Sequence, residues 1–303
     1  MRWRAAGLAV SAGLLVLGCG VSSVAPTGSG KAVAVTMAPV STEVSTLGVE
    51  PTYAAQATAL VEVIGPVTFT IVYDNNTYVP SLRTDWGFSC VVETGDAVVL
   101  FDTGGNGTIL LDNMEELGFD PQVIDAVVLS HIHGDHTGGL KGLLDTGARP
   151  VVYVPASFPE SFKAPVRVQT ELVEATDPVE VLPGVHTTGE VGSSIVEQAL
   201  VVETGAGLVV VTGCAHPGVV EMVRRAKAAV GGEVRLVMGG FHLGGAGRDQ
   251  IEAIIADFRE LGVQQVAPCH CTGDLARQMF AEAYVDDCTL AGVGQQFVIA
   301  PSQ

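Results

Sequence analysis

Six residues constrain this chain most: His131-Ile132-His133-Gly134-Asp135-His136. They follow an apolar run, Ile124 to Leu129, broken only by Asp125. That run reads as a buried strand. Three imidazoles and a carboxylate gathered past a strand repel one another when protonated and lose hydration when buried. A bound divalent cation removes both costs, so the block predicts a metal site on a loop held by a sheet.

The remaining histidines share this phase. His216 follows the apolar run Leu208–Thr212, His242 follows Val234–Met238, and His270 follows Ala267 through Pro268-Cys269. Six of the 7 histidines thus sit just past an apolar run, in loops that carry Gly or Pro. Sites in layered α/β proteins are built on such strand-end loops. Only His186 falls outside the pattern, and it reads as an ordinary surface histidine.

Alternation and helical spacing predict the elements around these loops. Strands are expected at Val67–Val72, Ser89–Glu93, Ala97–Phe101, Ile124–Leu129 and Val151–Val154. A second series is expected at Ala199–Glu203, Leu208–Thr212, Val234–Met238, Val263–Ala267 and Gln296–Ile299. Helices are expected at Asn106–Leu117, after Thr137 through Leu144, and at Val219–Val230, Asp249–Leu261 and Asp274–Ala283. The polar stretch Ser157–Glu180 reads as an irregular excursion over the site. Two series of strands with helices between them predict an α+β fold of αββα layering: two mixed sheets packed face to face, helices outside.

The N-terminus reads differently. Arg2 and Arg4 precede an apolar stretch, Ala5 to Leu17, that ends in Val16-Leu17-Gly18-Cys19. That pattern suits a signal segment over residues 1–19, too short for a bilayer span. Its end resembles a bacterial lipobox, with Cys19 as the lipid-bearing residue. An ordinary signal peptide or an uncleaved anchor are the alternatives. Residues 20–60, rich in Ser, Thr, Ala, Val, Pro and Gly, read as a flexible tether, and residues 61–303 as the folded domain. The expectation is a protein outside the cytoplasm, attached by lipid to the membrane of the bacterial cell envelope. A net charge of −18 makes nucleic acid an unsuitable partner. Five cysteines besides Cys19 are an odd number, which argues against a full disulfide framework.

The block His-x-His-x-Asp-His, preceded by Phe101-Asp102-Thr103-Gly104, resembles the metallo-β-lactamase superfamily from about residue 60 to 300. Finer matches are Gly87-Phe88-Ser89-Cys90, Gly213-Cys214-Ala215-His216-Pro217-Gly218, Gly239-Gly240-Phe241-His242-Leu243 and Pro268-Cys269-His270-Cys271-Thr272-Gly273. These resemble the subgroup named for a dihydropterin–ribofuranosylaminobenzene-phosphate synthase.

The resemblance implies one or two divalent ions. Neutral imidazole and carboxylate suit zinc, and also manganese or iron. His131, His133 and His216 are expected to bind one ion, and Asp135, His136 and His270 the other. Asp102 is expected to accept a hydrogen bond from a ligand histidine, its alternative being a turn aspartate. Two departures stand out. Gly213-Cys214 occupies the slot of the superfamily's bridging aspartate, and Thr188-Gly189-Glu190 lacks its usual histidine. Cys214 is either a thiolate ligand or a small buried residue, the second being favoured. His242 is a ligand, a general acid or a substrate contact, with acid or contact ranked first, so it joins Asp135 among the catalytic candidates. Cys269 and Cys271 are expected to pack around His270.

Three functions are open at this point. The first is a hydrolase of a small ester, lactone or phosphoester, using metal-activated water. The second is a pterin-type condensation with loss of pyrophosphate. The third is a metal- or ligand-binding lipoprotein without catalysis. The envelope location favours the first over the second, since phosphorylated pterin precursors belong to the cytosol.

Overall fold

The structure, a computed structural model, describes residues 65–300 apart from Asp96. The signal segment with Cys19 and the tether lie outside the described residues. Among the described residues, no helix is long and apolar enough to cross a membrane.

In the first sheet, β1 (Val67–Tyr73), β2 (Ser89–Thr94) and β3 (Ala97–Phe101) are antiparallel neighbours. Three parallel strands continue it: β4 (Ala126–Val128), β5 (Val151–Pro155) and β6 (Leu172–Ala175). In the second sheet, β7 (Val179–Leu182), β8 (Val185–Thr187), β9 (Leu200–Thr204) and β10 (Gly207–Thr212) run antiparallel. Strands β11 (Val234–Gly240) and β12 (Gln265–Cys269) join β10 in parallel. The last strand, β13 (Gln296–Ile299), returns to the first sheet beside β1. Both sheets are therefore mixed, in the orders 13-1-2-3-4-5-6 and 12-11-10-9-8-7.

Successive side chains on a strand point to opposite faces, and this produces the layers. Phe69, Ile71, Val99, Phe101 and Val128 face Leu200, Val209, Val211 and Met238 across the middle of the molecule. Val72, Val91, Leu100 and Val127, from the same strands, face outward onto α1 (Gly107–Glu116) and α3 (Leu140–Asp145). The second sheet buries Val210 and Val237 under α5 (Val219–Val230), α6 (Arg248–Glu260) and α7 (Asp274–Tyr284). Each such side chain, at zero exposure, contributes about 2 kcal/mol of transfer free energy. The expected αββα sandwich is what these three cores build.

Helix α1 starts where Asn106 accepts hydrogen bonds from the Thr108 and Ile109 amides. The expected helix after Thr137 begins earlier, as the single turn α2 (Gly134–Thr137) followed by α3. Two parts differ from the sequence reading. The stretch Ser157–Glu180 is ordered as α4 (Glu160–Arg167), β6 and the start of β7, not irregular. It looks polar because β6 and β7 are edge strands, each with one unpaired side. Strand β8 is too short to show alternation. It carries His186, whose Nε2 lies 2.7 Å from Glu203 Oε1, within hydrogen-bond distance and away from the other histidines.

Candidate metal centre

Among the described residues, every expected site residue lies just past the C-terminal end of a strand. Strand β3 delivers Asp102, β4 the histidine block, β10 Cys214 and His216, β11 His242, and β12 His270 and Cys271. Helix α2 turns the end of the block so that Asp135 and His136 diverge from His131 and His133.

The side chains gather as two main groups. One is His131, His133 and His216; the other is Asp135, His136, Cys214 and His270. Within each group one donor atom per residue lies within 4.8 Å of the others. His131 Nε2 is 3.1 Å from His133 Nδ1. His136 Nε2 is 3.2 Å from His270 Nε2 and 3.3 Å from Cys214 Sγ. Asp135 Oδ2 lies 3.5 Å from His270 Nε2.

The opposite ring nitrogens point away from these centres, each to a fixed partner. His136 Nδ1 is 2.7 Å from Asp102 Oδ2, and His216 Nδ1 is 3.0 Å from Glu197 Oε2. His270 Nδ1 is 2.9 Å from Asn75 Oδ1, and His131 Nδ1 is 2.8 Å from Ser130 Oγ. Metal-binding histidines are held this way, one nitrogen anchored and the other free for the ion. The donor set and its orientation fit divalent metal ions.

Protonation supports the same fit. Burial, with repulsion from His136, holds the His131 imidazole down to about 3. Burial, with repulsion from His270, holds His136 down to about 3. Both are therefore neutral, as ligands must be. Burial pushes Asp102 up to about 7, against the pull of His131 and the Ser130 hydrogen bonds. Burial works to raise Glu197 as well. Hydrogen bonds from His216 and from the Ala215 and His216 amides outweigh it and bring the carboxyl to about 2.

The backbone is strained at the same place. Among the described residues, five non-glycine positions have positive φ, and four of them are Asp102 (+56°), Ala215 (+62°), His242 (+51°) and His270 (+46°). Each costs on the order of 1 kcal/mol, and such strain collects where side-chain aim matters. Gly213 is needed for close approach. A Cβ there would lie 2.1 Å from Ser130 Oγ and 2.8 Å from Asp102 Oδ2.

The structure brings two sulfur atoms to the site. The sequence reading of Cys214 leaves a thiolate ligand or a small buried residue, the second favoured. Cys214 is buried, yet its Sγ stands among the donor atoms, 3.4 Å from His270 Nε2. The reason is its position just past the end of β10, which aims it at His136 and His270. Cys271 lies beside His270 as expected, and it also reaches the Cys214 carbonyl oxygen at 3.6 Å and groups with Cys214 and His242. His242 is exposed at the rim, its ring centroid 4.3 Å from that of His216. Cys269 is fully buried at the end of β12.

Sequence reasoning assigns no role to Glu197 or Ser130, and it marks Tyr73–Trp86 only as a loop that shapes specificity, without singling out Asp74, Asn75 or Trp86. Glu197 accepts from the backbone amides of Cys214, Ala215 and His216 at 2.7–2.9 Å. Asp74 Oδ2 accepts from the His270 amide at 3.1 Å. Asp74-Asn75 follows β1 as the histidines follow their strands, so the signal was present. Glu197 carries only a weak one, a charge just ahead of an apolar run.

Strand-end imidazoles and carboxylates converging between two mixed sheets place this molecule in a known class: the chain belongs to the metallo-beta-lactamase superfamily. The model of that superfamily matches residues 87–224, which include the histidine block and His216. A relative in Methanocaldococcus jannaschii is 7,8-dihydropterin-6-methyl-4-(beta-D-ribofuranosyl)-aminobenzene-5'-phosphate synthase. It is 30% identical over 237 residues, covering 62% of this chain and 80% of that protein. The crystal structure of Tm1679, a metal-dependent hydrolase of the beta-lactamase superfamily, is similar with a TM-score of 0.65 and 27% identity. That match covers 77% of this chain and 99% of the other. Human tRNase Z, short form, shares the fold at a TM-score of 0.54 and 16% identity, over 77% of this chain and 99% of that one.

Proposed function

We propose that the protein is a metal-dependent synthase joining a dihydropterin-methyl diphosphate to a ribofuranosylaminobenzene phosphate with release of pyrophosphate. The observation that carries this reading is 30% identity across 80% of the synthase from Methanocaldococcus jannaschii. It favours this reading over simple hydrolysis, the first expectation from sequence. In the reaction the amine nitrogen bonds to the pterin methylene carbon, the carbon–oxygen bond to pyrophosphate breaks, and the nitrogen loses a proton.

Each group of residues has a part in this. His131, His133 and His216 would hold one ion, and Asp135, His136, His270 and Cys214 the other. Zinc suits this donor set, with manganese or iron as further candidates. When bound, the ions supply positive charge that stabilises the departing pyrophosphate. Asp102, Glu197, Asn75 and Ser130 orient the imidazoles. His242, exposed beside His216, contacts the substrate or moves the proton.

A second reading, hydrolysis of a small ester, lactone or phosphoester, rests on two observations. One is 27% identity to the metal-dependent hydrolase. The other is the lipobox-like segment ending at Cys19, which would anchor the chain in the cell envelope, away from phosphorylated pterins.

One assay separates the readings. The metal-loaded protein is given the pterin diphosphate with and without the aminobenzene partner, and pyrophosphate release is followed. Release that depends on the amine, with formation of the joined product, supports the synthase. Release at the same rate without amine overturns it in favour of hydrolysis. Fractionation of cells expressing the chain or Cys19→Ser tests the location: loss of membrane attachment in the variant supports the lipid anchor.

A further inference from the structure

The loop between β1 and β2 contains a side chain that neither the fold nor the metal groups use. Trp86 is 55% exposed, although an indole is among the side chains with most to gain from burial. Singly exposed aromatic or aliphatic residues are common, and Tyr78 and Val168 are examples here. Trp86 differs in its place. Its ring centroid is 4.9 Å from that of His270, tilted by 54°. His270 belongs to the second donor group, so the indole stands at the edge of the site where a substrate must arrive.

The loop holds Trp86 there firmly. The Trp86 amide donates to Asp85 Oδ1 at 2.8 Å, and Asp85 Oδ2 accepts from the buried Tyr73 hydroxyl at 3.2 Å. Three residues earlier, both the amide and the carbonyl of Arg83 bond to the side chain of Asn113, itself buried on α1. On the other side, Gly87 has φ +143°, and a Cβ there would lie 2.4 Å from the Asp135 carbonyl oxygen. Only glycine lets the backbone pass that close to the metal loop. The indole is thus presented on a fixed backbone between α1 and the histidine block.

We infer that Trp86 is a stacking platform for the planar aromatic ring of the substrate. A fixed, exposed indole binds flat π systems at small entropic cost, because little is left to order on binding. A ring stacked there lies on the side of the site that holds His270, one member of the second donor group. In the proposed reaction that ring is the pterin. The inference deepens the proposed function and rests on it for the identity of the ring, not for its planarity.

The test uses the full chain carrying Trp3→Phe, which leaves Trp86 as its only tryptophan, since the sequence has Trp 2 in all. Intrinsic fluorescence is titrated with pterin, and binding is measured independently by equilibrium dialysis. Ribose 5-phosphate, which lacks the ring, is the control. Saturable quenching by pterin but not by ribose phosphate is expected. Trp86→Ala weakens pterin binding about five- to tenfold, the worth of one aromatic stack, and Trp86→Phe by about twofold. In turnover, Trp86→Ala raises KM by the same factor with kcat within about twofold of the parent. Unchanged pterin binding in Trp86→Ala overturns the platform. If that variant fails to fold, quenching in the parent and the effect of Trp86→Phe still decide. Pterin binding on Trp86 without amine-dependent product overturns the synthase and leaves the platform. Amine-dependent product with no effect of Trp86 does the reverse.

Discussion

Asp102 Oδ2 lies 2.7 Å from His136 Nδ1, while Asp102 Oδ1 accepts from the Ser130 amide at 2.7 Å. Ser130 Oγ in turn bridges Asp102 to His131 Nδ1, at 2.8 Å on each side. One buried carboxyl at the end of β3 therefore sets the ring orientation of one histidine in each donor group. Asp102→Asn keeps the shape but places an amide nitrogen where an acceptor is needed. It should weaken metal binding about 10- to 100-fold at an unchanged fold. Competition with a chelating dye, alongside circular dichroism, measures both. Unaltered affinity would remove Asp102 from the centre.

Cys214 is the residue whose role the structure alters most. With its Sγ 3.3 Å from His136 Nε2, a loaded second group should contain a metal–sulfur bond. Cobalt-substituted protein should then show a sulfur-to-cobalt charge-transfer absorption, lost in Cys214→Ser and retained in Cys269→Ser, whose thiol is fully buried elsewhere. A band surviving Cys214→Ser would assign the sulfur to Cys271.

Glu197 tests how the second sheet supports the site. Its carboxylate accepts three backbone amides and His216 Nδ1, all within 3.0 Å. Glu197→Ala leaves those donors buried without partners and should destabilise the protein by about 3 kcal/mol or more. Glu197→Gln keeps an acceptor and should cost less while still weakening metal at His131, His133 and His216. Denaturant unfolding and metal titration separate the two effects. Equal stability of both variants and the parent would refute a supporting role.

The acid edge of metal binding should follow His270. Burial lowers its pKa, but the hydrogen bond with Asp135 and the charges of Cys271 and Asp74 more than offset this, leaving it above 6.5. A protonated imidazole cannot bind an ion, so the metal must displace that proton. Affinity of the second group should fall as pH falls, by up to about tenfold between pH 7 and 6. In the metal-free fold the sign reverses. A raised pKa adds stability that is fully present below the unfolded value, 6.5, and is lost as pH rises through the folded value. Dye competition at the two pH values checks the first statement, and thermal unfolding of stripped protein checks the second.

Much of the local structure was legible. The spacing of Val219–Val230 matches α5 at both ends, and Asn106 marks the start of α1 as its side-chain chemistry requires. The phase of six histidines against apolar runs marked the ends of β4, β10, β11 and β12. The polar stretch after Ser157 was not legible. Edge strands need only one buried face, which leaves their alternation faint.

By itself the sequence determined the elements that carry the histidine loops, the αββα layering and which residues carry donor atoms, because periodicity and residue chemistry are local properties. Tertiary structure alone decided which donors meet. His136 lies 78 residues from Cys214 and 134 from His270, and they come within 3.4 Å only because the ends of two sheets face each other. It also decided that Cys214 aims inward, that Glu197 holds the loop of His216, and that Trp86 stands exposed beside His270. Those facts depend on the relative placement of loops from different strands, and packing of the two sheets, not any spacing along the chain, sets that placement.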